Sequence, residues 1–199
     1  QAVEALGEIG PAAAPAVETL IDLLDDDVSG MQSAVITALG EIGVSEATFG
    51  ALEERLYSDE LGVPKRAVEA LGKLRGVEAR VVPTLADFVS DADVGGESKK
   101  AKSDAVEVLT RYGPVAESVL PTLLAALEED PGGGSYYDKG WMTEAVRMVR
   151  RLDPETEEVP EVFFERLDDP ATPDSVAIAS AEAMAALVPP DGEERVFDA

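Results

Sequence analysis

The 199-residue chain carries 41 Asp and Glu against 16 Lys and Arg, a formal net charge of −25, and it has no Cys and no His. That balance excludes disulfide and thiolate chemistry, removes the commonest general base and transition-metal ligand, and opposes attraction to a phosphate backbone. Hydrophobic residues make up 45% and aromatics 5%, which implies a core of small aliphatic side chains, and no run of about 18 apolar residues marks a membrane span.

The first predicted element is a helix over "AVEALGEIG", Ala2 to Gly10. Ala2, Val3, Leu6 and Ile9 are expected to pack on the next helix, Ala5 and Gly7 to permit close approach, and Gly10-Pro11 to end the element. No secretion-type leader opens the sequence, and Gln1 already lies inside the helical pattern, so the chain reads as a segment of a longer array whose preceding residues are open. A second helix follows in "APAVETLIDLLDDD", with Val17, Leu20, Ile21 and Leu24 on one face.

This pair recurs along the chain. The helix A phrase returns as "AVITALGEIG" at 34–43 and "AVEALGKLRG" at 67–76. The register Leu6/Ile9 is echoed by Leu39/Ile42, Leu71/Leu74, Leu109/Tyr112, Val149/Leu152 and Met184/Leu187, and Gly or Pro usually closes each copy. Helix B returns as "FGALEERLYSDE", "VVPTLADFVSDAD", "VLPTLLAALEEDP" and "VPEVFFERLDDP", each with acidic residues at its end that suit the next helix N-terminus. Neither helix can bury its apolar face alone, so the pairs must stack. The expected fold is an all-α, right-handed α-solenoid of about six helical hairpins, the first and last truncated. It forms a single array over 1–199, with approximate repeats 1–27, 28–60, 61–93, 94–130, 131–169 and 170–199. The final "RVFDA" would at most begin a sixth helix B.

"AVEALGEIG" followed by "PAAAPAVETLIDLLDDD" resembles the HEAT-like repeats of the phycobilisome-lyase type. The likeness is close for repeats one to three and looser for four to six. It implies stacked hairpins with B helices on a concave face, and a family made up mostly of scaffolds. Members of that family also include bilin lyases and a di-iron hydroxylase whose metal sits on His-Glu pairs. A chain without His cannot supply those pairs.

Two inter-repeat stretches are longer than the rest, "SDADVGGESKKAK" (90–102) and "EEDPGGGSYYDKGW" (128–141). Insertions in repeat arrays map to loops, often on a binding face. In the second, Tyr136, Tyr137 and Trp141 are candidate partner contacts, since exposed aromatics make good anchors. The competing reading of Trp141 is that it opens helix A of repeat five and packs on repeat four. Asp91, Asp93 and Glu97 hint at a calcium loop, but Gly95 occupies the third ligand position and no glutamate closes it at the right distance. A solvated acidic turn is the better reading there and at Asp25, Asp26 and Asp27. Three basic clusters stand out: Lys65 and Arg66; Lys99, Lys100 and Lys102; and Arg147, Arg150 and Arg151. They read as inter-repeat ion pairs within or near helix A.

Such an excess of acid opposes compaction in dilute salt, whereas at molar salt the Debye length falls to about 3 Å. The composition is that of the cytoplasmic proteins of a salt-accumulating halophilic archaeon; an acidic face for a basic partner is the alternative. The functional expectation is a non-catalytic protein-protein interaction scaffold adapted to high salt. It would be cytoplasmic, with no catalytic, cofactor or metal residues, an unknown protein partner, no nucleic acid and no membrane. The alternatives are a lyase-type HEAT-repeat enzyme subunit or a nucleic-acid-related HEAT protein.

Overall fold

A computed structural model describes residues 1–24, 31–43, 46–129 and 140–152, together with the isolated positions 177, 178 and 181. Every regular element among the described residues is helical. The A helices are α1 (Ala2–Ile9), α3 (Met31–Ile42), α5 (Val63–Leu71), α8 (Lys102–Tyr112) and α10 (Gly140–Leu152). The B helices are α2 (Val17–Asp22), α4 (Glu46–Glu54), α6 (Glu78–Ser90) and α9 (Leu120–Glu129), and a short α7 (Gly96–Lys100) precedes α8. The sixth register at Met184 and Leu187, the segments 159–170 and 195–199, and Asp25 to Asp27 fall outside the described residues.

Each A helix packs on the next, α1 on α3, α3 on α5, α5 on α8 and α8 on α10. The B helices form a second layer, with α2 against α4 and α6 against α9. Between the layers lies one core of Leu20, Leu39, Leu52, Leu71, Leu85, Phe88, Leu109 and Leu123 with their neighbours, all buried. Two-layer stacking gives each amphipathic helix the cover it lacks alone.

The repeated Ala-Leu-Gly phrase has a specific mechanical role. The glycine of one A helix lies against the residue before the leucine in the next. A Cβ on Gly7 would stand 3.1 Å from Ala38 Cα, and one on Gly40 would stand 2.9 Å from Ala70 Cβ and 3.0 Å from Ala70 Cα. One on Gly72 would meet Val108 Cγ1 at 2.8 Å. Hydrogen in place of a methyl therefore sets how closely adjacent repeats approach. The leucine beside each contact fills the core.

The first repeat departs from expectation in two ways. Val3 and Leu6 are partly buried and Gly7 is fully so, but Ala2 and Ala5 are exposed and Ile9 is 57% exposed. Their counterparts Val35, Ala38 and Ile42 are buried because α3 is flanked on both sides, whereas α1 packs on α3 alone among the A helices. The second helix is also shorter than its sequence pattern. Residues Gly10–Ala16 form a 3-10 segment before α2 begins. Gly10 takes φ of 66°, a conformation that favours glycine, and Pro11 and Pro15 supply no N–H to a regular α-helical ladder. The same Gly-Pro device at Gly113 (φ 58°) opens a 3-10 segment, Gly113–Val119, before α9.

The stretch 90–102, expected as a long loop, is mostly helix. Its additional residues form α7, which grips the preceding inter-repeat turn. Ser98 Oγ donates to the Ser58 carbonyl at 3.1 Å and the Gly62 N–H reaches Glu97 Oε2 at 3.4 Å. The insertion packs the start of repeat four on the turn between repeats two and three.

In repeat four, Tyr112 takes the place of Ile9, Ile42 and Leu74. Its hydroxyl is buried without a hydrogen-bond partner among the described residues, and burial, aided by the Glu78 charge, raises its pKa above the ordinary tyrosine value.

Two stability tests follow from this packing. Gly40→Ala is expected to lower the denaturation midpoint, at a cost of roughly 1–3 kcal/mol from overpacking against Ala70. Gly50→Ala, with nothing within 4 Å of its added Cβ, is expected to gain up to about 1 kcal/mol of helix propensity. Equal effects at the two positions in urea titrations would refute the close-approach account. Tyr112→Phe, which deletes the unpartnered hydroxyl, is expected to stabilise by about 1 kcal/mol; a comparable loss would mean the hydroxyl has a partner in solution.

Candidate functional site

Of the three aromatic candidates, Tyr136 and Tyr137 lie outside the described residues. Trp141 is a correction to its reading as a partner contact, because it is 3% exposed. It occupies the first turn of α10, which packs on α8, and the Lys102 ammonium sits 5.6 Å from its ring centroid. Lys102 is itself 4% exposed and donates to the Asp91 carbonyl at 2.7 Å. This pair joins the turn after α6 to the start of α8 and to α10.

The basic clusters divide between two uses. Lys65 reaches across to Asp104 of α8 at 2.7 Å, and Lys73 reaches back to Glu41 of α3 at 2.6 Å. The hydrogen bond that Lys65 donates to Asp104, then the Asp104 charge, raises the Lys65 pKa. Arg66 with Glu69, Lys100 with Glu97, and Arg147 with Glu144 pair instead within their own helices. The expectation of inter-repeat pairs therefore holds for Lys65 and is replaced by local pairs at Arg66, Lys100 and Arg147, where an acid three residues away is nearer. The Arg150 side chain lies outside what the structure describes.

Two clefts open on the A layer. One, of about 450 Å³, lies between α1 and α3 and is lined by Glu4, Glu8, Thr37 and Glu41 around Gly7 and Ala38. The other, of about 350 Å³, lies between α5 and α8 with Lys65, Glu69, Lys73, Asp104, Glu107 and Arg111 on its walls. The ion pairs at Lys65 and Lys73 engage charges in both. In the stretch hinting at calcium, the Asp93 N–H donates to Asp91 Oδ1 at 2.9 Å, so the two aspartates form a turn. Among the described residues no three carboxylates converge to hold a metal ion.

The B layer has different chemistry. Its cations among the described residues are Arg55, whose side chain is largely shielded beside Glu54, and Arg80, which pairs with Glu46 and stacks 3.9 Å from the Phe49 ring centroid. Exposed Asp22, Glu54 and Asp87 each stand two residues beyond a buried leucine, Leu20, Leu52 and Leu85. Tyr57 lies just after α4, its ring at 85° to that of buried Phe88 with centroids 5.5 Å apart. It is 50% exposed. Burial, then the charges of Asp91, Asp87 and Glu53, push its pKa up. Glu53 accepts a hydrogen bond from Thr84 Oγ1 at 3.3 Å.

Sequence reasoning missed Tyr57. It appears within a helix B phrase as one of a run of ordinary positions, and what distinguishes it is the end of α6 in the neighbouring repeat.

No helix among the described residues is long and apolar enough to cross a membrane. No curated protein and no solved structure matches the chain. A family profile described as HEAT repeats matches residues 1–72, less than half of the chain and covering α1 to the end of α5. With the same A-on-A stacking continuing through α8 and α10, the fold is an all-α HEAT-like helical solenoid.

Proposed function

We propose that this solenoid is a non-catalytic interaction scaffold that holds a protein partner against the surface of its B helices. The observation that carries this reading is a half-exposed aromatic ring on an acidic B-layer surface. Ion pairs stitch neighbouring repeats on both layers, Lys65–Asp104 and Lys73–Glu41 on the A side and Arg80–Glu46 on the B side. On the B layer, Asp22 and Asp87 are exposed and in no ion pair among the described residues, and Tyr57 stands half out of the surface against Phe88, the residue after Asp87. A regular helical stack demands none of these groups for its own packing. The phycobilisome-lyase likeness and an enzymatic role find no further support in these residues.

The acid excess is read as adaptation to high salt in a cytoplasm of the salt-accumulating kind. Among the described residues cations are confined largely to the A layer, and self-repulsion over the rest of the surface is relieved when salt shortens its range.

Two measurements test these readings. A photo-crosslinking residue placed at Asp22 or Ala125, both exposed on B helices, is expected to give one discrete adduct in a molar-KCl extract of the native cells. The same residue at Glu8 or Glu107 on A helices is expected to give none. Capture at the A positions alone, or at none of the four, would overturn the scaffold surface assigned here. For the salt reading, ellipticity at 222 nm is expected to fall as KCl is lowered from about 1 M to about 0.01 M, where the Debye length grows from about 3 to 30 Å. Unchanged helicity across that range would sink it.

A further inference from the structure

The aromatic rings at the described inter-repeat junctions follow a pattern. Phe49 of α4 carries Arg80 of α6 over its face. Trp141 of α10 carries Lys102 of α8. Each is a cation–π contact between one repeat and the next, of the kind a guanidinium or ammonium makes with a ring face. Tyr57 also sits at a junction, against Phe88 of the next repeat, but no cation among the described residues lies over it. Its surroundings are nonetheless the most cation-seeking of the three. Asp87 and Asp91 stand on either side of Phe88 in the chain, whose ring meets Tyr57, and Glu53 lies one helical turn before Tyr57; Glu53 and Asp87 are in no ion pair with a described residue, while the Asp91 carbonyl already accepts from Lys102.

From this we infer that the B-layer surface around Tyr57 receives a lysine or arginine side chain from a basic segment of the protein partner. The inference rests on the scaffold reading above and names the partner's chemistry. The ring is positioned in advance. Phe88, fully buried, packs against it in a T-shaped contact, so ordering Tyr57 adds little entropic cost on binding. Leu61, 84% exposed and four residues further along, offers an apolar contact in the adjoining turn. Charge complementarity selects a basic occupant over an acidic or neutral one, because among the described residues the B helices present carboxylates with two cations, Arg55 and Arg80, both already engaged by Glu54, Glu46 and Phe49. An arginine or lysine placed here would reproduce for Tyr57 what Arg80 does for Phe49.

A protein of net charge −25 attracts any basic peptide weakly, so the test must separate a site from a cloud of charge. The probe is a short labelled Lys-Gly repeat peptide and its Arg-Gly counterpart, with a Gln-Gly peptide as blank. Binding is read by anisotropy and by amide shifts, in dilute salt and again in about 1 M KCl, where a Debye length of about 3 Å leaves only contact-range attraction. The basic peptides are expected to shift amides around Tyr57 and Asp87 in both conditions, and the blank to shift none. Tyr57→Phe should bind like the unaltered protein. Tyr57→Leu, which keeps Phe88 covered, should weaken binding about fivefold, within the range of an exposed to partly desolvated cation–π contact. The pair Glu53→Gln and Asp87→Asn should weaken it more than Glu8→Gln and Glu107→Gln, which remove the same charge from the A layer. Equal losses from the two pairs, unaltered binding by Tyr57→Leu, or shifts spread over both layers would overturn the inference. B-layer adducts alongside any of those results would leave the scaffold reading standing. Localised binding at Tyr57 without B-layer adducts would do the reverse.

Discussion

The contact on which this fold depends is the approach of one A helix to the next across a missing methyl group. Gly40 faces Ala70 at a distance that leaves no room for a Cβ, and Gly7 faces Ala38 at one where a Cβ would force a small shift. Protein interiors are close-packed and do not deform continuously. A spacing fixed at one side of each hairpin therefore fixes where its leucine enters the core and where its B helix emerges. The constraint changes along the chain. Gly72 meets Val108 in place of an alanine, and the position after Leu109 is Thr110, whose hydroxyl returns to the Val106 carbonyl at 2.8 Å. From there a different set of contacts holds the stack. Helix α7 grips the turn at Ser58–Gly62, while Lys102 ties the Asp91 carbonyl to the Trp141 ring. Helix-on-helix approach gives way to polar and cation–aromatic fasteners where the small-residue phrase erodes.

Those fasteners explain where the scarce cations go. A buried ammonium is costly unless it is hydrogen-bonded, and Lys102 meets that requirement with a backbone carbonyl and an aromatic face. The exposed pairs at Lys65 and Lys73 are each worth little at a solvated surface, commonly under about 1 kcal/mol. Their collective effect is to orient the A layer, and they draw the positive charge to that side. The B layer is left acidic by subtraction as much as by design, with Arg80 and Arg55 engaged by Glu46, Phe49 and Glu54.

The stacking architecture was legible in the sequence because it rests on periodicity within about twelve residues and on repetition of one phrase. Gly7 as a point of close approach could be read from its place beside Leu6. What could not be read were features decided by the neighbouring repeat. Ile9 matches Ile42 in sequence yet stands in solvent, because burial depends on what flanks the helix on its second side. The stretch 90–102 is rich in Gly, Ser and Asp, which local chemistry reads as loop, but tertiary contacts with Ser58 and Gly62 accompany its fold into a helical turn. Trp141 was conspicuous for its rarity and its glycine-rich approach, and it is buried; Tyr57 was inconspicuous, and it is exposed among carboxylates. Both outcomes turn on partners that lie about thirty to forty residues away in the chain, on Lys102 for one and on Asp87, Phe88 and Asp91 for the other.

High salt bears on how such a surface distinguishes partners. In dilute solution a field from many carboxylates extends about 30 Å and recruits any basic molecule. At molar salt the same carboxylates are silent beyond about 3 Å, and selectivity passes to groups that touch the ligand. Tyr57 is suited to that regime. A ring face attracts a cation at contact distance, with an apolar component that salt strengthens rather than screens. Its rigidity against Phe88 matters more as long-range steering weakens, since nothing else then guides the approach. An acidic solenoid adapted to salt would thus keep its many carboxylates for hydration and charge balance. Recognition would fall to the few places where an aromatic ring stands among them without a cation of its own.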